Sequence, residues 1–308
     1  MKKILIFLCF LIFTAYTLCF PQQAVSSAAG GLVLWYERVL PSLLPFAILS
    51  NLLIDSNYLS YLTRFIYPVT RIFLPGSENG AFVLLSGFLF GFPMGSRNCA
   101  RLLQSGKISQ EEADVLFVIT NNISPVFVSS FILYQELKLP SMTLPSYLAL
   151  YLPPLLLGSL LLSGQRRKLL QTGDVRTQKT PTSKSQMNFK IIDAGIMNGF
   201  ETLTRLGGYI MLFSMSASML ELLPLPGTTK ALLTGITEVT NGVHRIAGLP
   251  LSGRMRYVLT ISVTAFGGLS GIAQTSSMVK GTRLSMKRYF LLKLALTAGS
   301  ALLAWIVF

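Results

Sequence analysis

Charged residues are scarce in this chain. Asp, Glu, Lys and Arg make up 12% of its 308 residues, and 51% are hydrophobic, whereas about 25% of an average soluble domain is charged. Uncharged stretches cover residues 4–20, 115–135, 139–164 and 257–279. Because about 20 apolar residues cross the hydrocarbon core of a bilayer, this composition excludes an ordinary soluble domain and predicts an all-α polytopic membrane protein.

Residues that commonly carry catalysis or bind metals are also few. The chain has three Cys and one His, and their spacing matches no metal-binding pattern. The sequence contains neither a nucleophile elbow nor a phosphate-binding loop. We therefore expect a protein without enzyme activity, metal or cofactor.

Acidic residues are outnumbered by basic ones, with 12 Asp and Glu against 26 Lys and Arg. Such an excess can indicate nucleic-acid binding, but membrane proteins also gather Lys and Arg in their cytoplasmic loops. Seven of the basic residues, with a single Asp, lie in residues 165–190. We interpret this segment as a basic cytoplasmic loop and expect no nucleic-acid partner.

The N-terminal residues 1–20 have the pattern of a signal peptide, because Lys2 and Lys3 precede an uncharged apolar stretch. No small-x-small cleavage site follows, which favours an uncleaved signal anchor or first transmembrane helix. We divide the rest of the chain into a first repeat (21–164), the basic cytoplasmic loop (165–190) and a second repeat (191–308).

The stretch "SGFLFGFPMGSRNC" at 86–99 breaks an apolar helix, since Gly91, Pro93 and Gly95 fall within five residues and Ser96 and Arg97 follow. Such a break is tolerated at membrane depth only inside protein or beside a water-filled cavity. The free N–H groups of the restarting helix favour an anion, and the arginine adds positive charge. We interpret the stretch as the turn of a re-entrant hairpin, because several flanking basic residues then share the cytoplasmic side with the basic loop. A helix kink or an interfacial loop is the alternative.

A second copy of this pattern is found near the C-terminus. Residues 88–109 can be laid over 263–285, which places Gly91 on Gly267 and Gly95 on Gly271. The spans that precede the copies, about 30–54 and 196–222, run in opposite directions in this topology. We therefore predict two inverted repeats, each with a re-entrant or broken-helix hairpin, a pattern typical of transporters.

This topology has about six full spans plus two hairpins. The alternative is a topology with eight full spans. One observation opposes the hairpin topology, because it leaves seven basic residues on the outer side. They are Arg245, Arg254, Arg256, Lys280, Arg283, Lys287 and Arg288.

Polar residues interrupt two further apolar segments, "VITNNISPVFVSS" and "LTGITEVTNGVHRIAG". Polar groups in a membrane are costly unless they are bonded, so they should face a cavity or another helix. Hydrogen bonding between helices and a Glu–Arg pair are the structural alternatives. We predict one substrate cavity near the bilayer midplane, lined by Gly91, Pro93, Gly95, Ser96, Arg97, Asn121, Asn122, Glu238, Asn241, Gly267, Gly268, Ser270, Gly271 and Gln274.

Four motifs carry a resemblance to a known family: "LWYERVLPSLLPFAILSNLL", "GFPMGSRNCARLLQSGKISQEEADVLFVITNNISPVFV", "GITEVTNG" and "AFGGLSGIAQTSSMV". They resemble the sporulation integral membrane proteins of the YlbJ type, within the nucleoside-recognition (Gate-domain) group. The resemblance covers about residues 25–305. It implies a multi-pass protein of the bacterial inner membrane, acting in endospore formation in the mother-cell membrane around the forespore, and passage of dipicolinate.

Together, these observations predict a membrane transporter or permease for a small organic anion, with dipicolinate export from the mother cell as the function that the resemblance implies. The alternatives are a non-transporting sporulation protein of membrane assembly or sensing, and a nucleoside transporter. The expected partners are the anionic substrate and the lipid bilayer. A second copy of the chain and other sporulation membrane proteins remain open as partners.

Overall fold

A computed structural model describes residues 2–56, 58–74, 76–172 and 187–308 of the chain. Within these ranges the protein is helical and contains no β-strand. An all-α polytopic membrane protein is therefore confirmed as the fold class. Most of the basic segment 165–190 lies outside the described residues.

The first half of the chain contains short helices that follow one another closely and ends with the long helix α9. They are α1 (Lys2–Cys19), α2 (Pro21–Leu34), a π-helical turn (Trp35–Val39), α3 (Leu40–Asp55), α4 (Leu59–Phe73), α5 (Glu78–Phe90), α6 (Met94–Gln104), α7 (Gln110–Ile119), α8 (Pro125–Phe127), a second π-helical stretch (Val128–Glu136), a 3₁₀ turn (Pro140–Met142) and α9 (Thr143–Thr172).

The second half of the chain begins with a long helix and continues with broken ones. They are α10 (Phe189–Met219), a 3₁₀ turn (Leu220–Leu222), α11 (Gly227–Thr237), α12 (Val239–Ala247), α13 (Gly253–Phe266), α14 (Gly268–Met278) and α15 (Met286–Val307).

Among the described residues, three helical stretches are long and apolar enough to cross a membrane: Pro140–Gly164, Gly253–Met278 and Met286–Val307. A fourth crossing is available if the pair Phe7–Cys19 and Pro21–Glu37, which is bent by 107°, counts as one span. The other helices are shorter or more polar. The count of six full spans and two hairpins, and the inversion of the two halves, stay predictions.

One face of α9 identifies a lipid-facing surface. Large apolar side chains are exposed at every fourth position of this helix, at Leu144, Leu148, Leu152, Leu156 and Leu160. Residues four apart lie on one face of a helix, so these leucines form a continuous apolar stripe. Such a stripe would be unfavourable in water and suits contact with lipid tails.

Two hairpins are formed by helices that pack against each other. In the first, α5 and α6 pack together on either side of the turn at Gly91–Pro93. In the second, α11 and α12 pack together and the turn is at Glu238. A Cβ atom on Gly242 would overlap the backbone of Gly235, so the two arms of this second hairpin touch through their main chains.

The second hairpin therefore does not lie where the sequence overlay puts it, at 263–285. Residues Gly253–Met278 form a single span-length stretch that is interrupted at Gly267. Its closer counterpart in the first half is α7 followed by the break before Pro125. In each half a hairpin is followed by a broken helix and then by a long helix, α9 or α15. The overlay matched one kind of glycine break with another because glycine spacing does not reveal whether the chain turns back.

Contacts between the two halves hold the domain together. The long helix α10 packs against α2 and α3, and α15 packs against α9. Near the far end of α10, the Tyr16 hydroxyl of α1 lies 2.7 Å from that of Ser218. The first helix is thus part of the folded body.

Candidate functional site

The break between α7 and α8, residues 120–125, is the structural centre of the site. Carbonyl groups at a helix break lack N–H partners within the helix and need other hydrogen-bond donors. Four carbonyl oxygens accept hydrogen bonds from three other parts of the protein, namely α15, the first hairpin and α9. The pairs are Asn121 O with Lys293 Nζ at 2.6 Å, Asn122 O with the Phe92 N–H at 2.7 Å, Ile123 O with the Tyr151 hydroxyl at 2.7 Å, and Pro125 O with the Tyr147 hydroxyl at 3.0 Å.

The turn of the first hairpin packs directly against this break. Gly91 has a φ of 75°, and a Cβ atom there would lie 2.7 Å from the carbonyl oxygen of Asn122. A Cβ atom on Gly95 would overlap the carbonyl group of Thr120. The glycines predicted to be functional are therefore required for the close approach of two backbones.

The side chains of the two asparagines in the break are hydrogen-bonded to other groups of the protein. The Asn121 side chain accepts hydrogen bonds from the N–H and hydroxyl of Ser96, and its amide donates to Phe117 O at 2.6 Å. The Asn122 amide donates to Ile119 O at 2.7 Å. These side chains fix the break to the first hairpin and to the end of α7, and they line none of the three cavities described below.

Lys293 was missed by sequence reasoning. It lies in α15 and is only 2% exposed, and its ammonium group donates to the break. The available signal was the one charged residue in the otherwise uncharged apolar stretch 289–308, since a charge inside a membrane segment indicates a site by default.

The turn of the second hairpin is held by Glu238, which is 3% exposed. Its carboxylate accepts hydrogen bonds from the N–H groups of Thr240 at 3.1 Å and Asn241 at 2.8 Å. It therefore caps the N-terminus of α12, where a negative charge is favourable. The Asn241 amide reaches the Ser214 hydroxyl of α10 at 3.3 Å.

The helix break at Gly267 meets the turns of both hairpins. Cβ atoms on Gly267 and Gly271 would lie 3.4 and 3.2 Å from the Phe92 ring of the first turn. A Cβ atom on Gly268, whose φ is 72°, would lie 3.2 Å from the N atom of Val239 in the second turn. These three glycines therefore occupy the place where the two halves of the chain come together.

A central cavity of about 440 Å³ opens beside this junction. Four phenylalanines line it, namely Phe90, Phe92, Phe127 and Phe131. The predicted site residues that line it are Glu238, Gly267, Ser270, Gly271 and Gln274. Ser270 and Gln274 are hydrogen-bonded to each other at 2.9 Å. The aromatic lining was not foreseen, although the repeated Phe of "FLFGF" was its available signal.

The charged lining of the central cavity is acidic. Glu37 and Glu238 line it, and no Lys or Arg is found among the described residues around it. Apart from Arg97, the remaining predicted residues of the first hairpin and of the break, including Pro93, are buried and are not part of the lining of the central cavity. They support the cavity without lining it.

Arg97 lies at a different cavity, of about 280 Å³, which we call the arginine cavity because Arg97, Arg101 and Arg205 line it. Arg101 is paired with Asp55 at 2.5 Å, and Arg205 with Glu201. Arg97 is 8% exposed; its Nη2 donates to Asn198 O at 3.4 Å, and its Nη1 has no partner among the described residues.

A third cavity of about 390 Å³, the histidine cavity, is lined by Asn241, His244, Arg245 and Glu136, among others. It shares Leu34, Phe131 and Thr240 with the central cavity. The predicted residue set is thus distributed over three cavities and the scaffold between them.

The three cavities follow one another along α10. Residues 198–205 of this helix line the arginine cavity, 206–210 the central cavity and 214–218 the histidine cavity. At 1.5 Å per residue these positions extend over about 30 Å, which is the thickness of a bilayer core.

An apolar plug separates the arginine cavity from the central cavity. It consists of Leu43, Ala47, Met94, Leu203 and Leu206, all buried and in contact. Two residues packed on it come from opposite sides, since Phe90 lines the central cavity and Met278 lines the arginine cavity.

Comparison with known proteins found a matching family and a similar protein. Residues 37–137 match the Gate family, described as nucleoside recognition. The chain is 28% identical over 320 residues to the sporulation integral membrane protein YlbJ of Bacillus subtilis (strain 168), covering 92% of this chain and 78% of that protein. No solved structure matches the chain. The resemblance inferred from the motifs is confirmed, and the chain is similar to an integral membrane protein over nearly its whole length.

Proposed function

We propose that this protein is a secondary transporter that moves a small planar organic anion, dipicolinate being the first candidate, out of the mother cell during endospore formation. The observation that carries the proposal is the row of three cavities along α10. Alternating access requires a resting state in which the route through the bilayer is closed. Here the row of cavities would form a route of about 30 Å, and the apolar plug would close it at one point.

Arg97 supplies the chemistry that favours an anion. Its Nη1 is buried and has no partner in the part of the chain that the structure describes, whereas Arg101 and Arg205 of the same cavity are paired with carboxylates. A carboxylate arriving in the arginine cavity would accept a charge-assisted hydrogen bond, about twice as strong as a neutral one. The arginine cavity therefore supports capture of a carboxylate before the plug opens.

The central cavity suits the ring of such a solute. Phenylalanine side chains line several of its walls, and flat aromatic groups pack well against such surfaces. Its volume of about 440 Å³ is in the range of small-molecule sites. Glu238 is already bound by two backbone N–H groups, so its charge is partly neutralised by the start of α12.

The similar protein of B. subtilis is named for sporulation, which is the reason to place this chain in the same process. The matching family is described by nucleoside recognition, and one observation favours a nucleoside as the second candidate. The central cavity has acidic and no basic residues in its described lining, which suits a neutral planar solute better than a dianion.

Transport by the purified protein in liposomes tests both candidates. We expect uptake of labelled dipicolinate, with uridine as the competing candidate. Arg97→Gln should lower dipicolinate uptake at least about tenfold, because a charge-assisted hydrogen bond contributes about 1.5–3 kcal/mol. Arg205→Gln is the matched control, since that arginine lines the same cavity but is paired and 60% exposed.

The outcomes separate the candidates. Uptake of uridine without dipicolinate would establish the second candidate in place of the first. Uptake of neither solute, from protein shown to be folded, would favour the non-transporting role in membrane assembly or sensing. Equal losses in Arg97→Gln and Arg205→Gln would remove the special role of Arg97.

A further inference from the structure

Lys293 is a buried lysine that has no carboxylate partner among the described residues. It is 2% exposed, and it takes part in none of the ion pairs found among the described residues. Its ammonium donates to the backbone oxygen of Asn121 at 2.6 Å and reaches the side-chain oxygen of Asn122 at 3.4 Å. Both acceptors are neutral oxygens.

The position of these oxygens explains why a cation is stable there. Helix α7 ends at Ile119 and Thr120 is its C-cap, and the last carbonyl groups of a helix carry partial negative charge and have no partners within it. Asn121 and Asn122 follow directly. The ammonium therefore lies at the negative end of a half-helix, among backbone and amide oxygens, which are the ligands that transporters offer to monovalent cations at helix breaks.

Burial of a charge is too costly to be incidental. An ammonium loses its hydration when it leaves water, and only good hydrogen bonds or charges compensate for this loss. The neighbouring bond of the same break, from the Phe92 N–H to Asn122 O, comes from the first hairpin. Lys293 thus joins α15 to the break one residue away from the point where the hairpin is attached.

We propose that Lys293 is a tethered cation. Its ammonium occupies a monovalent-cation site that the break builds from the oxygens of Asn121 and Asn122, and the protein therefore does not need a free Na⁺ there. The part of this inference that concerns transport rests on the proposed function, whereas the part that concerns the cation site does not.

Chemical replacement of the side chain tests the site without any transported solute. In Lys293→Ala the side chain ends at Cβ, so propylammonium has the carbons and nitrogen that are missing. We expect the melting temperature of purified Lys293→Ala to rise by several degrees with propylammonium, because a ligand that binds only the folded state stabilises it. Tetramethylammonium, which has the charge but no N–H group, should have no such effect at the same concentration.

Three controls make the result specific. Wild type and Lys287→Ala, whose lysine lies on the same helix and is exposed, should not respond to propylammonium. Lys293→Met keeps most of the side-chain volume and should not respond either. The proposal is overturned if Lys293→Ala does not respond, if it responds equally to tetramethylammonium, or if it cannot be recovered folded even with propylammonium present.

Transport supplies a second readout. If the protein moves dipicolinate in liposomes, uptake by the wild type should be unchanged when choline replaces Na⁺ on both sides. A strict requirement of the wild type for Na⁺ would overturn the tethered-cation role. Failure of the liposomes to take up any solute would count against the proposed function alone, because the melting experiment decides the site independently.

Discussion

Gly235 and Gly242 bring the two arms of the second hairpin into main-chain contact. No side chain larger than hydrogen fits at Gly242, because a Cβ atom would overlap the backbone of Gly235. This contact positions Glu238 at the turn, where it lines the central cavity. The geometry of the hairpin therefore depends on two glycines that do not touch the cavity themselves.

Gly242→Ala should consequently destabilise the protein by about 1–3 kcal/mol, since an inserted methyl group forces apart elements that cannot relax locally. The measurement is thermal unfolding of purified protein in detergent. Gly208→Ala in α10 is the matched control, because a Cβ atom there has open space, and alanine is the better helix former. Equal stability of the two variants would contradict the main-chain contact.

Tyr151→Phe should also lower stability. It removes the donor to Ile123 O, and a buried carbonyl left without a partner costs about 1–3 kcal/mol. Tyr147→Phe should cost less, because Pro125 O also accepts from the Ser129 hydroxyl. Tyr134→Phe, at a side chain that is 68% exposed, is the control. The expected order of unfolding temperatures is Tyr134→Phe highest and Tyr151→Phe lowest, and a different order would argue against the break as a hydrogen-bonded unit.

Phe92→Ala should weaken the apparent affinity for a planar solute while it keeps the backbone bond to Asn122. Loss of an aromatic contact of about 0.5–1.5 kcal/mol corresponds to a rise of roughly 2- to 10-fold in half-saturating concentration. Uptake in liposomes over a range of dipicolinate concentrations measures this rise. Phe65→Ala, at a ring that is 83% exposed, should leave the value unchanged. An unchanged value for Phe92→Ala would remove this ring from the binding surface.

The membrane orientation of the basic loop can be measured directly. Single cysteines at Thr177 and Lys138 should differ in whole cells treated with an impermeant thiol reagent, with labelling at position 138 only. Thr177 lies outside the described residues, and its cytoplasmic position is predicted from the positive charges around it. The opposite labelling pattern would reverse the predicted topology and the inversion of the repeats with it.

The sequence alone was sufficient for the class of protein and for the places where its helices break. Scarce charge and long apolar stretches indicate a membrane protein. Both can be read from the sequence because they do not depend on how the helices pack. The breaks at Gly91–Pro93 and Gly267 were readable because glycine and proline act on their own backbone. Glu238 stood out for a similar local reason, as a carboxylate in an apolar segment.

Tertiary structure decided what these breaks contact. Gly267 interrupts a helix that continues, whereas Glu238 forms the turn of a hairpin, and the difference lies in which helices pack together. Arg97 lies apart from the central cavity, four phenylalanines line that cavity, and Lys293 reaches the break from a helix about 170 residues later in the chain. Side-chain partners depend on packing between distant segments, and no local pattern of residues carries that information.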